Sequence, residues 1–458
     1  MGLFSALTTS VGGLQAQSFA IQNISGNIAN SQTIAYKDIN TSFLDLVSSA
    51  SVPSQQVAGG VLASSQATNT VQGAIQNATV STDMAINGDG YFIVQPPLSF
   101  SGNTPIFGAV NSYTRRGDFS LNSQGYLVNG AGYYLSGLPI DPTTGVPSGS
   151  VAAPLQFQSN FLPASATTAI QYGINLPTQP VTSAFKSSVP NSELLNPADF
   201  GTDPTVAGTG TVVGSDVTTF VNESIDGGSI TAYNGAGSPA SLQFRWAKTD
   251  SIANGGQDTW ELFYQTDSSA AGATVAWQNA GQDFVFDASG QLNPPITTLT
   301  LPNVSINGIS IGNLTVNSPT GSITQFAATS GNSTVNNLQQ NGYAAGQLQS
   351  IAVSSNGDIT GTFSNGQAVA LAQIPLVHFN SPDNLKSLDG GAYQETADSG
   401  AALAGASGSI VGQSLEASNA DIATEFTKLI VTQQAYSANT KVITTANQMS
   451  QDLLNIIR

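Results

Sequence analysis

Few residues of this 458-residue chain have the type and spacing that catalysis or metal binding requires. His378 is the only histidine, so a Ser-His-Asp triad or a histidine-rich metal site would have to include it. The G-x-S-x-G and glycine-lysine motifs of hydrolases and phosphate loops do not occur, and there is no cysteine. The stretch from Asp83 to Gly90 has Ala85 at a ligand position of a calcium loop, which favours a turn. We therefore expect no enzyme activity and no catalytic, cofactor or metal site.

The charge balance also limits the classes of partner. The chain has ten Lys and Arg but 27 Asp and Glu, which gives a net charge of -17. This negative charge argues against nucleic-acid binding. The pair Arg115-Arg116 is either a contact with the acidic surface of another subunit or a solvated turn. No apolar run is long enough for a membrane span, and no signal-peptide core precedes the first cation, Lys37. The chain is thus either cytosolic or exported by a route that needs no cleaved signal peptide.

The helices predicted at the two ends of the chain indicate assembly with other chains rather than catalysis. Apolar residues recur every seven positions at each end, a period that favours helices that pair with a partner. The predicted packing positions are Leu7, Val11, Leu14, Ile21, Ile24 and Ile28 at the start, and Leu415, Ile422, Phe426, Leu429, Tyr436, Ile443, Leu453 and Ile457 at the end. We expect the two ends to meet in space as a coiled-coil-like pair.

Three polar residues, Gln433, Thr440 and Asn447, also follow the seven-residue period of the C-terminal helix. They either fix the register among many chains or are surface positions of an irregular helix. Ser418 and Asp421 resemble a capping box at the start of that helix. One helix paired with the other is marginally stable, so we hypothesise that both ends are largely disordered in the monomer and fold on polymerisation.

Between the ends, the sequence predicts short strands and turns, giving an α+β multidomain chain. Alternating aromatic residues on two segments, with a turn at Asn254-Gly255-Gly256, predict a hairpin that contributes Trp246 and Trp260 to a core. The predicted organisation is an inner helical domain (1–33 and 413–458), connectors (34–75 and 389–412), a β-rich middle domain (76–152 and 341–388) and an inserted β-rich outer domain of one or two parts (153–340).

Four stretches resemble signatures of the bacterial flagellar rod and hook protein family. They are ANSQTIAYK at 29–37, DMAINGDGYFIV at 83–94, YTRRGDFSLNSQGYLVNGAGYYLSGLPID at 113–141 and LEASNADIATEFTKLIVTQQAYSANTKVITTANQMSQDLLNI at 415–456. The motif positions are Ala29, Asn30, Thr33, Tyr36, Lys37, Gly88, Gly90, Arg115, Gly117, Glu416, Ser418, Asn419, Gln434, Tyr436 and Asn439. Ala35 departs from the motif, in which glycine is usual, and this predicts a change in the local backbone.

Within this family the large insert implies a hook subunit, because distal rod proteins have a much smaller middle. The resemblance implies a curved helical tube that encloses an export channel and transmits motor torque to the filament as a universal joint. The implied partners are other copies of the chain, the distal rod, hook-cap and hook–filament junction proteins, and the flagellar type III export apparatus. The implied location is the extracellular hook of the flagellar basal body, reached without a cleaved signal peptide.

Two alternatives stay open at this point. One is a distal rod-type axial subunit with an enlarged insert, which would form straight tubes. The other, from a different class, is a surface adhesin or glycan-binding module, which would require a groove with aromatic and carboxylate groups in the insert.

Overall fold

The computed structural model describes residues 3–46, 59–141, 144–157 and 161–457, and the chain divides into two compact units. Unit 1 consists of Met1–Asn160 and Leu348–Arg458, and unit 2 is Phe161–Gln347. Unit 1 therefore combines both ends of the chain, whereas unit 2 is one continuous segment with bounds close to those of the predicted insert. Among the described residues, no helix is both long enough and apolar enough to cross a membrane.

The α-helices are α1 (Leu3–Ala29), α2 (Val217–Glu223) and α3 (Ile422–Ile457). Helix α1 contains no proline and ends where the Asn30 side chain donates a hydrogen bond to the Gly26 carbonyl, 2.9 Å away. Helix α3 is capped by Asp421, whose carboxylate accepts a hydrogen bond from the Thr424 amide at 2.8 Å. Asp421 directly precedes the helix, so it, rather than the predicted Ser418, is the residue that caps it.

The strands of the first part of unit 1 are short and come in antiparallel pairs. They are β1 (Ile39–Asp45), β2 (Val61–Ala67), β3 (Ile75–Asn77), β4 (Met84–Asn87), β5 (Tyr91–Gln95), β6 (Pro97–Ser101), β7 (Thr104–Phe107), β8 (Ser112–Thr114), β9 (Phe119–Leu121), β10 (Leu127–Asn129), β11 (Tyr134–Pro139) and β12 (Ala153–Pro154).

Unit 2 is built on two five-stranded sheets that share one core. Its strands are β13 (Phe161–Leu162), β14 (Ala169–Leu176), β15 (Thr211–Val213), β16 (Ile225–Tyr233), β17 (Pro239–Asp250), β18 (Asp258–Gln265), β19 (Val275–Phe286), β20 (Thr298–Ile306), β21 (Ile309–Asn317), β22 (Ile323–Gln325) and β23 (Thr334–Gln340). The order in one sheet is β15-β19-β18-β17-β16. In the other it is β20-β21-β14-β22, with β23 also paired to β14.

The predicted aromatic hairpin of unit 2 is present. Strands β17 and β18 pair antiparallel with Trp246 opposite Leu262, and Gly255 adopts a left-handed φ of 82° in the turn. Trp246 and Trp260 are fully buried in the core that the two sheets share, because every second residue of each strand, Leu242, Phe244 and Trp246 in β17 and Trp260, Leu262 and Tyr264 in β18, is a large side chain that faces this core. Helix α2 covers a second, smaller core around Phe220 and Trp277.

The chain then enters the second part of unit 1. Its strands are β24 (Gly346–Val353), β25 (Asp358–Phe363), β26 (Ala368–Gln373), β27 (Leu376–His378), β28 (Lys386–Ser387), β29 (Ala392–Gln394), β30 (Leu403–Ala404), β31 (Ser409–Gly412) and β32 (Ser414–Glu416). In the main sheet of this unit, β26 pairs with β11, and β5 and β8 lie between β11 and β29. Strands from before and after the insert therefore complete one sheet together.

Both predicted connectors contain regular structure. Strands β1 and β2 form an antiparallel hairpin within 34–75, with Ile39 opposite Ala67, and strands β29, β30 and β31 fall within 389–412. Residues 47–58 of the first connector lie outside the described residues.

Candidate assembly interface

The Glu416 carboxylate joins three motif segments that are far apart in the sequence. Its Oε1 accepts hydrogen bonds from Lys37 Nζ at 2.5 Å and from the Gly73 amide at 2.9 Å, and Arg115 Nη1 lies 3.7 Å away. The side chains of Lys37, Arg115 and Glu416 are all nearly inaccessible to solvent. Burial lowers the pKa of Lys37, although Glu416 acts in the opposite direction. We call Lys37, Gly73, Arg115 and Glu416 the Glu416 junction.

Arg115 extends this junction to the turn before β5. Its Nε donates to the Gly90 carbonyl at 3.0 Å, Nη2 donates to the Gly88 carbonyl, and the guanidinium lies 5.7 Å from the centre of the Tyr91 ring. The neighbouring Arg116 instead forms a bidentate salt bridge with Asp118. Arg115 itself fits neither sequence-based interpretation of the arginine pair, because it is buried against residues of its own chain.

The loop after α1 is attached to the segment that precedes α3 by backbone contacts. The Ala35 amide donates to the Glu416 carbonyl at 2.8 Å, and the Asp38 amide donates to the Asn419 side chain at 2.7 Å. Ala35 has a φ of 55°, the left-handed conformation that glycine adopts at lower cost. This conformation explains why glycine would suit the motif at that position.

A second buried polar cluster lies between α1, β1 and α3. Asn27 Nδ2 donates to Glu425 Oε2 at 3.1 Å, and Asn27 Oδ1 accepts from the Tyr36 hydroxyl at 3.2 Å. Lys428 Nζ donates to Glu425 Oε1 at 2.6 Å and to Asn40 Oδ1 at 3.1 Å. Burial and the nearby Asp38 and Glu425 raise the pKa of Tyr36. The cluster therefore fixes the end of α1 to the start of α3.

Small and polar residues form the buried faces of the two helices. On α1 these are Ser10, Gly13, Ala16, Ala20, Ile24 and Asn27, and on α3 they are Glu425, Thr432 and Ala446, with Asn439 half-buried. A Cβ atom on Gly13 would lie 2.9 Å from Asn439 Nδ2, so glycine permits this close approach. The α3 residues of this face recur every seven positions. Gln433, Thr440 and Asn447 each follow one of them directly in the sequence and are exposed.

The apolar positions predicted to pack the helices lie mostly beside this buried face. Only Ile24 is buried; Leu7, Leu14, Ile21, Ile28, Leu415, Leu429 and Ile443 are half-buried, whereas Val11, Ile422, Phe426 and Tyr436 are exposed. The side chains of Leu453 and Ile457 lie outside the described residues. Most of the predicted packing positions therefore lie at the edge of the buried face or outside it.

Helix α3 consequently exposes two apolar stripes. Ile422, Phe426, Ile430 and Tyr436 form stripe A, with exposed fractions between 40% and 55%. Val431, Val442 and Met449 form stripe B on the opposite side of the helix, since residues seven and eleven apart share a face. The face that contacts α1 lies between the two stripes.

The remaining motif residues have local roles. Gly88 and Gly90 adopt positive φ values of 93° and 140° in the turn held by Arg115, and the Gly117 carbonyl accepts from the Met84 amide. Thr33 donates to Asn30, and the Ser418 hydroxyl accepts from the Ala420 amide. Ala29 and Gln434 are exposed. His378 is half-buried, and its Nδ1 makes no hydrogen bond within the part of the chain that the structure describes.

Sequence reasoning missed several residues that complete these clusters, namely Asn27, Asn40, Gly73, Glu425 and Lys428. A signal was present for Asn27 and Glu425, because a buried position on a paired helix rarely holds a polar residue without a partner. In the described ranges there is no group of three or more His, Asp or Glu that could hold a metal ion.

Three family profiles match this chain. "Flagellar hook protein FlgE/F/G D1 domain" matches residues 85–188, "Flagellar basal body protein FlaE D2 domain" matches 218–343, and "Flagellar basal body rod FlgEFG protein C-terminal" matches 411–456. These matches define the class, a structural protein of the bacterial flagellum.

Comparison with individual proteins shows which kind of flagellar protein this chain resembles. The flagellar hook protein FlgE of Brucella abortus is 30% identical over the full length of both chains. That of Salmonella typhimurium is 28% identical over 98% of this chain and its own full length. A crystal structure of Helicobacter pylori flagellar hook protein FlgE2 covers 74% of this chain and 100% of its own, with 16% identity and a TM-score of 0.49. The chain belongs to the flagellar hook protein family and is a structural subunit of the hook.

Proposed function

We propose that this subunit polymerises into the hook tube with α1 and α3 paired in its inner layer, where stripes A and B of α3 contact neighbouring copies. The observation that carries the proposal is the exposure of both stripes on a helix whose face between them is already occupied by α1. Covering each of these half-exposed side chains would contribute roughly 1 kcal/mol. A helix with covered stripes on two sides suits a lattice in which each copy has several neighbours.

The Glu416 junction would give this polymer its mechanical continuity. A torque applied to the inner helices must pass to the β-rich part of the subunit through the segments that connect them. The junction ties the loop after α1, the turn before β5 and the strand before α3 to one buried carboxylate. Removal of one partner from a buried ion pair is costly, so the junction would remain closed while more compliant contacts between subunits change.

The remaining aspects of the proposal follow from membership in the family. The curved tube would act as a universal joint and enclose an export channel, a structural role without catalysis. The partners would be the distal rod, hook-cap and hook–filament junction proteins, and the type III export apparatus would deliver the subunit to the extracellular hook without a cleaved signal peptide. Exposed apolar stripes in the single subunit support the hypothesis that the ends become fully ordered only in the polymer.

Electron microscopy of the full-length chain under salting-out conditions tests the proposal. We compare the unsubstituted chain with a stripe variant, Phe426→Ser with Ile430→Ser, and with a control variant of exposed polar α3 residues outside both stripes, Thr427→Ser with Gln434→Ser. The unsubstituted chain and the polar variant should form curved tubes, and the stripe variant should require at least a tenfold higher concentration.

Two results would contradict this proposal in different ways. Assembly of the stripe variant at the same concentration as the polar variant would show that stripe A is not a subunit contact. Straight, rigid tubes from the unsubstituted chain would favour the rod-type alternative over a hook.

A further inference from the structure

The hairpin of β6 and β7 exposes large apolar side chains that none of the described residues of its own unit covers. Leu98, Phe100 and Ile106 are 72%, 58% and 48% exposed, and Val110, just after the hairpin, is 63% exposed. The two strands form a separate two-stranded sheet. An isolated hairpin of this kind gains little stability by itself, and a cluster of exposed apolar residues marks a surface for association.

The base of the hairpin is nevertheless held in place. The Phe107 ring packs edge-on against Tyr134 and Tyr126, with ring centres 5.0 Å and 5.7 Å apart. Pro105, which lies two residues before Phe107 in β7, is also buried. The exposed side chains are therefore presented from a fixed support, which lowers the entropy that a contact would cost.

The backbone of the hairpin is poorly suited to strand addition. Pro97 in β6 and Pro105 in β7 each lack the amide hydrogen that a further strand would need. A partner would therefore contact the faces of the hairpin through side chains, and Leu98, Phe100 and Ile106 are the large side chains available there.

Charge favours a second copy of the chain as this partner. No charged residue occurs between Asp89 and Arg115, whereas each copy carries a net charge of -17. Identical copies repel one another through that charge, so contacts between them form most readily where the surface is uncharged. Copies of the chain are also the most abundant neighbours in the polymer on which this inference rests.

We propose that the β6–β7 hairpin, through Leu98, Phe100, Ile106 and Val110, contacts a second copy of the chain in the polymer, at a surface separate from stripes A and B of α3. The contact stabilises tubes that α3 has already assembled. Loss of the hairpin contact therefore weakens the tube without changing the concentration at which it forms, whereas loss of stripe A raises that concentration.

Thiol reactivity tests the proposal directly, because the chain contains no cysteine. In Phe100→Cys, the new thiol should react with a maleimide at least tenfold more slowly in tubes of the full-length chain than in the monomer. Val206→Cys in unit 2, where Val206 is 49% exposed, reports general access of the reagent to the tube. Equal reactivity at position 100 in tubes and monomer, or equal slowing at position 206, would overturn the hairpin contact.

Stability of the tube provides an independent measurement. Leu98→Ser, Phe100→Ser and Ile106→Ser combined should lower the temperature of tube disassembly by at least about 5 °C relative to Ser99→Ala, Ser101→Ala and Thr104→Ala combined. Equal disassembly temperatures would contradict the contact. Shielding at position 100 in tubes isolated from cells, but not in tubes of the pure chain, would identify a different partner and also overturn it.

These outcomes are distinguishable from failure of the proposed function. If the unsubstituted chain formed no tubes, polymer assembly itself would be contradicted, and the hairpin contact with it. If tubes formed and only the hairpin measurements failed, stripes A and B would remain the supported contacts.

Discussion

The core of unit 2 and the contact between α1 and α3 are built from opposite kinds of residue. Trp246 and Trp260 are fully buried in unit 2, and the Trp246 indole donates to the Tyr172 hydroxyl at 2.8 Å. The helices meet instead through small and polar residues such as Gly13 and Asn439, while the large apolar residues of α3 remain exposed. Unit 2 thus buries its large apolar residues within one chain, whereas α3 leaves many of its own exposed.

The largest effect on stability should come from a cavity in the core of unit 2. Trp246→Ala should lower the free energy of unfolding of unit 2 by about 3–5 kcal/mol, because it removes a fully buried ring and leaves the Tyr172 hydroxyl without one partner. Urea unfolding followed by circular dichroism measures this loss. Hydrogen exchange of unit 1 amides should be unchanged, and a parallel loss of protection in unit 1 would mean that the two regions are not independent.

Opening the Glu416 junction should have the next largest effect, this time on unit 1. Glu416→Gln leaves Lys37 and Arg115 buried without an anionic partner, which should cost about 3 kcal/mol. Asp118→Asn is the matched control, since it alters the more accessible pair with Arg116. Thermal unfolding of both variants measures this loss. Similar melting temperatures would show that the Glu416 junction contributes little to the stability of unit 1.

A buried carboxyl group makes the stability of unit 2 depend on pH. Burial, and secondarily Asp283, raise the pKa of Glu261 from 4.5 to about 8, while Asn279 donates to its Oε2 at 2.7 Å. Folding therefore takes up a proton, and the stabilisation present below pH 4.5 is lost as the pH rises through about 8. Between pH 6 and 8 the loss should be on the order of 2 kcal/mol.

Glu261→Gln should remove most of this dependence, because the amide stays neutral at every pH. Urea unfolding of unit 2 at a series of pH values compares the two slopes. If the variant kept the slope of the unsubstituted chain, the group responsible for the pH dependence would not be Glu261.

The smallest effect concerns the loop after α1. Ala35→Gly relieves a left-handed backbone at φ 55° but adds freedom to the unfolded chain, so we expect a net stabilisation of about 0.5–1 kcal/mol. Ala29→Gly, at an exposed position at the end of α1, should instead be neutral or destabilising. Calorimetry separates the two directions, and a destabilised Ala35→Gly would mean that the backbone there is not strained.

The aromatic hairpin of unit 2 was predictable from the sequence because large residues occupy every second position of β17 and β18 on either side of a glycine turn. Periodicity did not show which face of α3 contacts α1, because Thr432, Asn439 and Ala446 have the same seven-residue period as the apolar residues beside them. The motif residues Lys37, Arg115 and Glu416 were identified by family resemblance, but their convergence depends on strand pairing between distant parts of the chain. Glu261 gave no signal, since its burial is a property of the folded unit.

The distance along the chain between Lys37 and Glu416 also governs the order of folding. These partners are 379 positions apart, so their ion pair requires the closure of a very long loop. Unit 2, which is one continuous segment, can complete its contacts much earlier. In a folding chain, unit 2 therefore forms first, and the N-terminal segment of unit 1 stays without its partner until the segment around Glu416 joins it.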